Sequence, residues 1–116
     1  MNRQPLPISN QFPCPLSVAE LRRQNRVFAN TGGVSSGNRD RGFVPAFIDR
    51  DTGMIYPACH RDGRPAPMHI LDGLPRALVS HRDAQGRAVR LKASVEAGFL
   101  RAGRFFTRSE AARAVT

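Results

Sequence analysis

Tryptophan is absent from this sequence, and tyrosine and lysine occur only once each. The two cysteines, Cys14 and Cys59, are too few for the disulfide framework of a small secreted domain, so a reducing compartment is expected. No run of about 18 apolar residues occurs, which excludes a membrane-spanning helix and predicts no membrane partner. Residues 1–7 also lack the apolar stretch of a signal peptide. Together these absences predict a cytoplasmic location.

The length of 116 residues suits one modest core. Residues 1–16 contain four prolines and no periodicity, which predicts an irregular, Pro-rich arm. Residues 17–116 are expected to form a single small α+β domain. In it, a short antiparallel sheet lies between an N-terminal and a short C-terminal helix, and seven phenylalanines supply most of the aromatic burial.

Two Ser/Thr-x-x-Glu patterns predict helix starts, because the hydroxyl and the carboxylate each satisfy a free amide of the first turn. The pattern at residues 17–20 begins a helix of about residues 18–29. The pattern at residues 107–110 begins a helix of about residues 108–115. The polar residues of the first helix are expected to face solvent, namely Arg22, Arg23, Gln24 and Arg26.

The strongest strand pattern is the alternation of apolar and polar residues over Ala88–Val95. A turn just before it suggests a hairpin with Leu78–His81. A second compact turn, Ala102-Gly103, is flanked by Gly98–Leu100 and Arg104–Phe106. Both segments are therefore expected to contribute antiparallel strands.

A further hairpin is predicted between Phe43–Ile48 and Met54–Cys59. If its turn centres on Asp51, Pro45 lies opposite Pro57. Proline donates no hydrogen bond, so both prolines should face away from the shared ladder. The hairpin is therefore expected at a sheet edge or as an irregular ribbon.

Residues 31–41 are small and polar, which predicts a long flexible loop. Within it, residues 33–37 match the Gly-x-Ser-x-Gly pattern of a nucleophile elbow, but that motif needs a preceding strand and a following helix. The predicted order here is a helix and then a loop, which favours a simple glycine loop. An anion cradle formed by backbone amides beside Arg39 and Arg41 is the alternative.

Neither a catalytic site nor a metal or cofactor site is predicted. The spacing of the candidate ligands matches no zinc pattern, and the expectation is a buried thiol beside solvent-exposed histidines. The candidates are Cys59, His60, His69 and His81. The only acidic cluster is explained as turn residues, which bond their own backbone. Its members are Asp49, Asp51 and Asp62.

The net charge of +9 comes from 18 basic and nine acidic residues, and the surplus lies toward both ends of the chain. Guanidinium groups bind phosphates and carboxylates in planar, bidentate geometry, so the charge predicts an acidic partner. The candidate binding residues lie on or beside the predicted sheet, where they could converge into one patch. They are Arg87, Arg90, Lys92, Arg101 and Arg104. Phe99, Phe105 and Phe106 would stack on bases if they are exposed.

The arginines also have an explanation that involves no binding. Near-complete replacement of lysine by arginine is also what a GC-rich bacterial genome produces without selection for binding. The arginines would then only keep the surface solvated.

The first helix offers a second basic patch, Arg22, Arg23 and Arg26, and the sequence does not show whether the two patches share a face.

The sequence resembles no family that we can name, and three hypotheses remain. The first is a small, basic, non-enzymatic bacterial protein that binds nucleic acid, nucleoprotein or an acidic protein surface. The second is an interaction module or inhibitor from a mobile element, which would act through the hairpin of residues 43–59 and include Tyr56. The third is a small enzyme that uses Cys59 or Ser35. The oligomeric state is not predicted.

Overall fold

The computed structural model describes residues 15–115, and these residues form an α+β fold, as predicted. Three helices are present in that range, α1 (Val18–Val27), α2 (Ser35–Asn38) and α3 (Arg108–Ala114). Six strands accompany them: β1 (Val44–Asp49), β2 (Ile55–Pro57), β3 (Val79–Arg82), β4 (Ala88–Leu91), β5 (Val95–Arg101) and β6 (Arg104–Thr107). The predicted arm lies outside the described residues up to residue 14.

The strands form two antiparallel sheets. The larger has the order β2-β1-β5-β6, and the smaller consists of β3 and β4. Short connections join the hairpins β1–β2, β3–β4 and β5–β6, and the last is a two-residue turn. This turn uses Ala102 and Gly103 at φ angles of 52° and 78°, the left-handed pair that matches the twist of a hairpin.

The predicted proline pairing is wrong. Pro57 lies opposite Ala46, whereas Pro45 lies opposite Phe99 of β5. Strand β1 is therefore central, and of the two strands in this hairpin only β2 lies at a sheet edge. The Pro45 carbonyl accepts a hydrogen bond from the amide of Ala58, so the missing N–H of Pro45 also faces the β2 side, just beyond the end of that strand. Its ladder with β5 is left intact, which explains how a central strand tolerates this proline.

The predicted strand Ala88–Val95 is in fact two strands in two different sheets. After Leu91 the chain turns, with the amide of Val95 donating to the carbonyl of Lys92. The turn escapes the alternation pattern because Leu91 and Val95 both point into the same hydrophobic core. The expected burial is thus met at Leu91 and at Val95 in two different sheets, although Ala93 between them is exposed.

The core has two parts. The larger cluster fills the space between the two sheets and α1, and includes Leu16, Leu21, Phe47 and Leu91. Leu16, the last residue of the predicted arm, is only 2% exposed, so this end of the arm packs on the domain. The smaller cluster lies beneath α3 and consists of Phe43, Phe99, Phe106 and Ala111, with Val115 packed against it. No helix within residues 15–115 combines the length and apolar character needed to cross a membrane.

Two further expectations for the first half of the chain are wrong. Gln24 of α1 is buried, not solvent-facing. The predicted flexible loop of residues 31–41 instead contains α2 followed by a single 3-10 turn, Arg39–Arg41. Asn38 holds this segment in place, because its side chain is fully buried and donates a hydrogen bond to the carbonyl of Gly32.

Candidate nucleic-acid interface

The five predicted binding residues lie in separate places, not in one patch. Arg87 lies beside the turn of the small sheet and forms an ion pair of 3.5 Å with Asp83. Lys92 lies in the turn between β4 and β5, where its Nζ is 3.0 Å from Oδ2 of Asp49. Both cations are therefore partly neutralised by carboxylates of the chain itself.

The ion pair between Lys92 and the buried Asp49 contributes to the packing of the fold. Asp49 is 2% exposed and accepts hydrogen bonds from the Ser94 hydroxyl and from the amide of Asp51. The bond from Ser94 and the contact with Lys92 lower the pKa of Asp49 despite its burial. Asp49 pairs with Val95 at one end of β5, and Arg101 ends that strand six residues later, about 20 Å away. Lys92 and Arg101 consequently do not share a surface.

Arg90 lies against the first turn of α1. An isolated β-bridge joins Arg90 to Ser17, and the amide of Leu91 donates to the carbonyl of Leu16 over 2.8 Å. One face of α1 lies toward Arg90. This face carries Ala19, Arg23 and Arg26, which are spaced four and three residues apart and therefore lie on the same side of the helix. These elements enclose what we call the α1–β4 groove, of about 470 Å³. Its lining residues are Pro15, Ser17, Ala19, Glu20, Arg23, Arg26 and Arg90.

The groove carries an excess of positive charge. Arg23 donates two hydrogen bonds of 2.9 Å to the carboxylate of Glu20, and this contact lowers the pKa of Glu20. Arg26 and Arg90 form no ion pair with a carboxylate of residues 15–115. The groove therefore joins the helix patch to one of the sheet candidates, a convergence that the sequence does not show.

Arg101 and Arg104 lie opposite each other across the β5–β6 hairpin. The Cζ of Arg101 is 4.2 Å from the ring centroid of Phe43 and 5.1 Å from that of Phe106. The Cζ of Arg104 is 4.6 Å from the centroid of Phe106. We call these four residues the hairpin stack. Neither arginine forms an ion pair with a carboxylate in the described part of the chain.

The phenylalanines themselves are not free to stack on bases. Phe99 and Phe106 are 0% and 8% exposed and belong to the core beneath α3. Phe105 is half-buried, and the guanidinium of Arg50 lies over its ring at 5.5 Å. Any planar surface that this region offers to a ligand is therefore formed by guanidinium groups.

A buried cationic centre was missed from the sequence. Arg108, the first residue of α3, is 1% exposed and donates to Gln24 Oε1, the Gly33 carbonyl and His69 Nδ1. Burial lowers the pKa of its guanidinium to about 10. The only local signal at Arg108 is the helix start, which predicts an exposed position in the first turn.

His60 and His69 are both half-buried, so the expected exposure is wrong for these two histidines, and His69 also bonds to the fold. Its Nε2 lies 2.7 Å from the carbonyl of Gly98, and its ring packs edge-on against Phe47 and Phe99. Burial, and then the charge of Arg108, lower the pKa of His69 to about 3. The imidazole is thus neutral, with Nε2–H donating to Gly98 and Nδ1 accepting from Arg108.

The Cys59 thiol and the Gly-x-Ser-x-Gly segment both make hydrogen bonds within the fold. The half-buried Cys59 thiol donates to the carbonyl of Gly73 over 3.7 Å. In the Gly-x-Ser-x-Gly segment, the amide of Gly33 donates to the Thr31 hydroxyl and the amide of Gly37 donates to the Val34 carbonyl. These two amides are therefore not available to an anion. Among residues 15–115, no cluster of three or more His, Cys, Asp or Glu residues is placed to hold a metal ion.

Comparisons with protein-family models, with curated proteins and with solved structures found no match to this chain.

Proposed function

We propose that this protein is a non-enzymatic binding protein that holds nucleic acid by its phosphates in the α1–β4 groove. One observation supports this proposal above all. Arg26 and Arg90, which are far apart in the sequence, line one groove and lack carboxylate partners among the described residues. A cytoplasmic location accompanies this proposal.

The chemistry of the groove suits phosphate. A guanidinium presents a rigid fork of N–H donors that matches two phosphate oxygens, and Arg26 and Arg90 supply one fork from each wall. Ala19 leaves space between them because it has only a methyl side chain. The net charge of +9 adds a general attraction for polyanions that directs them to the surface at low salt.

The hairpin of residues 43–59 has less support as a docking module. Its strand β1 is central, so only the short β2 offers an open edge. Tyr56, the expected contact residue, packs against the larger hydrophobic cluster. Binding of an acidic protein surface in the groove is one outcome of the test below.

The test is fluorescence anisotropy with a labelled single strand and a labelled duplex, titrated at several salt concentrations. The variant Arg26→Ala/Arg90→Ala is expected to lower affinity about tenfold or more at low salt. It should also reduce the slope of log affinity against log salt by about two, one for each lost phosphate contact. The matched control is Arg61→Ala/Arg76→Ala, which removes the same charge from two exposed arginines outside the groove.

An equal loss in the two variants would show that only total charge matters and would remove the groove from the proposal. Binding that does not weaken as salt rises would contradict the phosphate contact itself. Binding of a polyglutamate probe with the same affinity and salt slope as nucleic acid would point to an acidic protein partner.

A further inference from the structure

The hairpin stack lies outside the α1–β4 groove and shares no residue with it. We propose that the hairpin stack receives unpaired bases, so that the ligand of this protein is a single-stranded nucleic acid. This inference rests on the proposed function, because it names the class of nucleic acid that the protein takes.

The geometry of the stack is the first argument. Arg101 and Arg104 each lie over a phenylalanine ring that is itself buried, Phe43 at 2% and Phe106 at 8% exposed. The rings hold the two guanidiniums in place by cation–π attraction. Arg104 is exposed, and Arg101 is partly so. Two planar cations are therefore held at neighbouring strand positions while remaining accessible to solvent.

Charge is the second argument. Two of the other sheet candidates, Arg87 and Lys92, are held by carboxylates, and Arg90 lies in the groove, whereas the two arginines of the stack have only aromatic partners among the described residues. An aromatic partner leaves the N–H donors at the guanidinium edge unused. Each arginine can therefore stack on a base through its plane and donate to a phosphate or a base edge through its rim.

Duplex nucleic acid does not fit this surface well. Bases within a duplex are already stacked on their neighbours and paired along their edges, so they offer no open face to a guanidinium. An unpaired base has an open face, and every base has one, so stacking of this kind tolerates any sequence. The stack therefore predicts a preference for single strands without sequence specificity.

The experiment compares two labelled oligonucleotides of equal length, one with bases and one made only of abasic sites. Both carry the same phosphates, so groove contacts treat them alike. The unmodified protein should bind the base-bearing strand about fivefold more tightly than the abasic strand. Arg101→Lys/Arg104→Lys keeps both charges but removes both planes, and this variant should lose that preference while its salt slope stays unchanged.

Three controls make the result specific. Arg61→Lys/Arg76→Lys makes the same exchange at two exposed arginines outside the stack, and it should keep the preference. Arg26→Ala/Arg90→Ala should lower the affinity for the base-bearing strand and for the abasic strand by the same factor. Thermal unfolding shows whether the double lysine variant is folded. If it is not, Arg104→Lys alone, at the more exposed position, should lose about half of the preference on a logarithmic scale.

Each remaining outcome has a definite meaning. Equal affinity of the unmodified protein for the two strands would overturn this inference while leaving phosphate binding in the groove intact. A preference that survives undiminished in folded Arg101→Lys/Arg104→Lys, or in Arg104→Lys where the double variant does not fold, would also overturn it, because the bases would then bind elsewhere. Failure to bind either strand would overturn the proposed function as well.

Discussion

The guanidinium of Arg108 donates to the imidazole of His69, with 3.3 Å between Nη2 of the arginine and Nδ1 of the histidine. The same guanidinium donates to Gln24 Oε1 over 3.0 Å and to the Gly33 carbonyl over 2.9 Å. These three acceptors are uncharged, and they belong to three separate parts of the chain. This one buried side chain therefore connects α3 with α1, the glycine segment and the loop that contains His69.

Replacing Arg108 with alanine should lower the free energy of unfolding by about 3 kcal/mol, because three buried acceptors lose their donor at once. Urea denaturation followed by circular dichroism measures the change. The matched control is Arg113→Ala on the same helix, which is exposed and should shift the free energy by less than about 0.5 kcal/mol. Similar values for the two variants would contradict the structural role of Arg108.

Stability should fall as the pH falls, because the folded protein keeps His69 neutral down to a pKa of about 3. The unfolded chain binds that proton near pH 6.5, so unfolding takes up a proton between these two values. The contribution of His69 is therefore complete above pH 6.5 and decreases progressively below it. Between about pH 8 and about pH 5, it should remove about 2 kcal/mol from the free energy of unfolding.

The control for this pH dependence is His69→Gln, which retains a donor and an acceptor but does not titrate. The exposed His81 and the carboxylates remain in both proteins, so their effects cancel in the difference. Urea denaturation of both proteins across the pH range should give a difference that grows toward low pH. Parallel curves would show that His69 is not held neutral in the fold.

Lys92 should matter for stability more than for binding. Lys92→Met leaves the carboxylate of Asp49 without its cation, and Asp49 is only 2% exposed. We expect a larger fall in Tm than for Arg87→Met, since the carboxylate partner of Arg87 is more exposed. Affinity for a labelled single strand should fall less than in Arg26→Ala/Arg90→Ala. A loss of affinity as large as in that variant would contradict this prediction and show that Lys92 contacts the ligand.

Gly98 should not tolerate a side chain. A Cβ at this position in β5 would collide with the carbonyl oxygen of Phe106 and with the ring of Phe105. Gly98→Ala should therefore lower the free energy of unfolding by about 2 kcal/mol, as measured by urea denaturation. In a Phe105→Ala background, the same glycine substitution should cost less but should not become neutral, because the backbone carbonyl of Phe106 remains. A neutral Gly98→Ala variant would contradict this close packing.

The elements that the sequence predicts correctly depend on residues close together in the chain. Thr107 and Glu110 form the predicted reciprocal capping box, and Ser17 accepts the amide of Glu20, each over a separation of three residues. The other half of the first capping box is wrong, because the carboxylate of Glu20 accepts from Arg23 and Gln24. The turn at Ala102-Gly103 is equally local. Hydrogen bonds of this kind are set by neighbouring residues, so short patterns are enough to predict them.

The wrong predictions depend on contacts between segments that are far apart in the sequence, and a short sequence pattern carries no information about such contacts. Pro45 was expected at an edge, but β5, which begins at Val95, pairs with β1 and makes it central. The strand from Ala88 was expected to continue, but the apolar period cannot distinguish one strand from two that face a common core. Both outcomes depend on which distant segments pack together.

By itself, the sequence determined the fold class, the helix starts, the hairpin turns and the excess of positive charge. Tertiary structure alone decided where those charges lie. It buried Arg108, paired Lys92 with Asp49, stacked Arg101 on Phe43, and placed Arg90 and Arg26 along the same groove. The reason is that the environment of an arginine is set by long-range packing, since the same side chain can be buried, neutralised or exposed without any change in the local pattern.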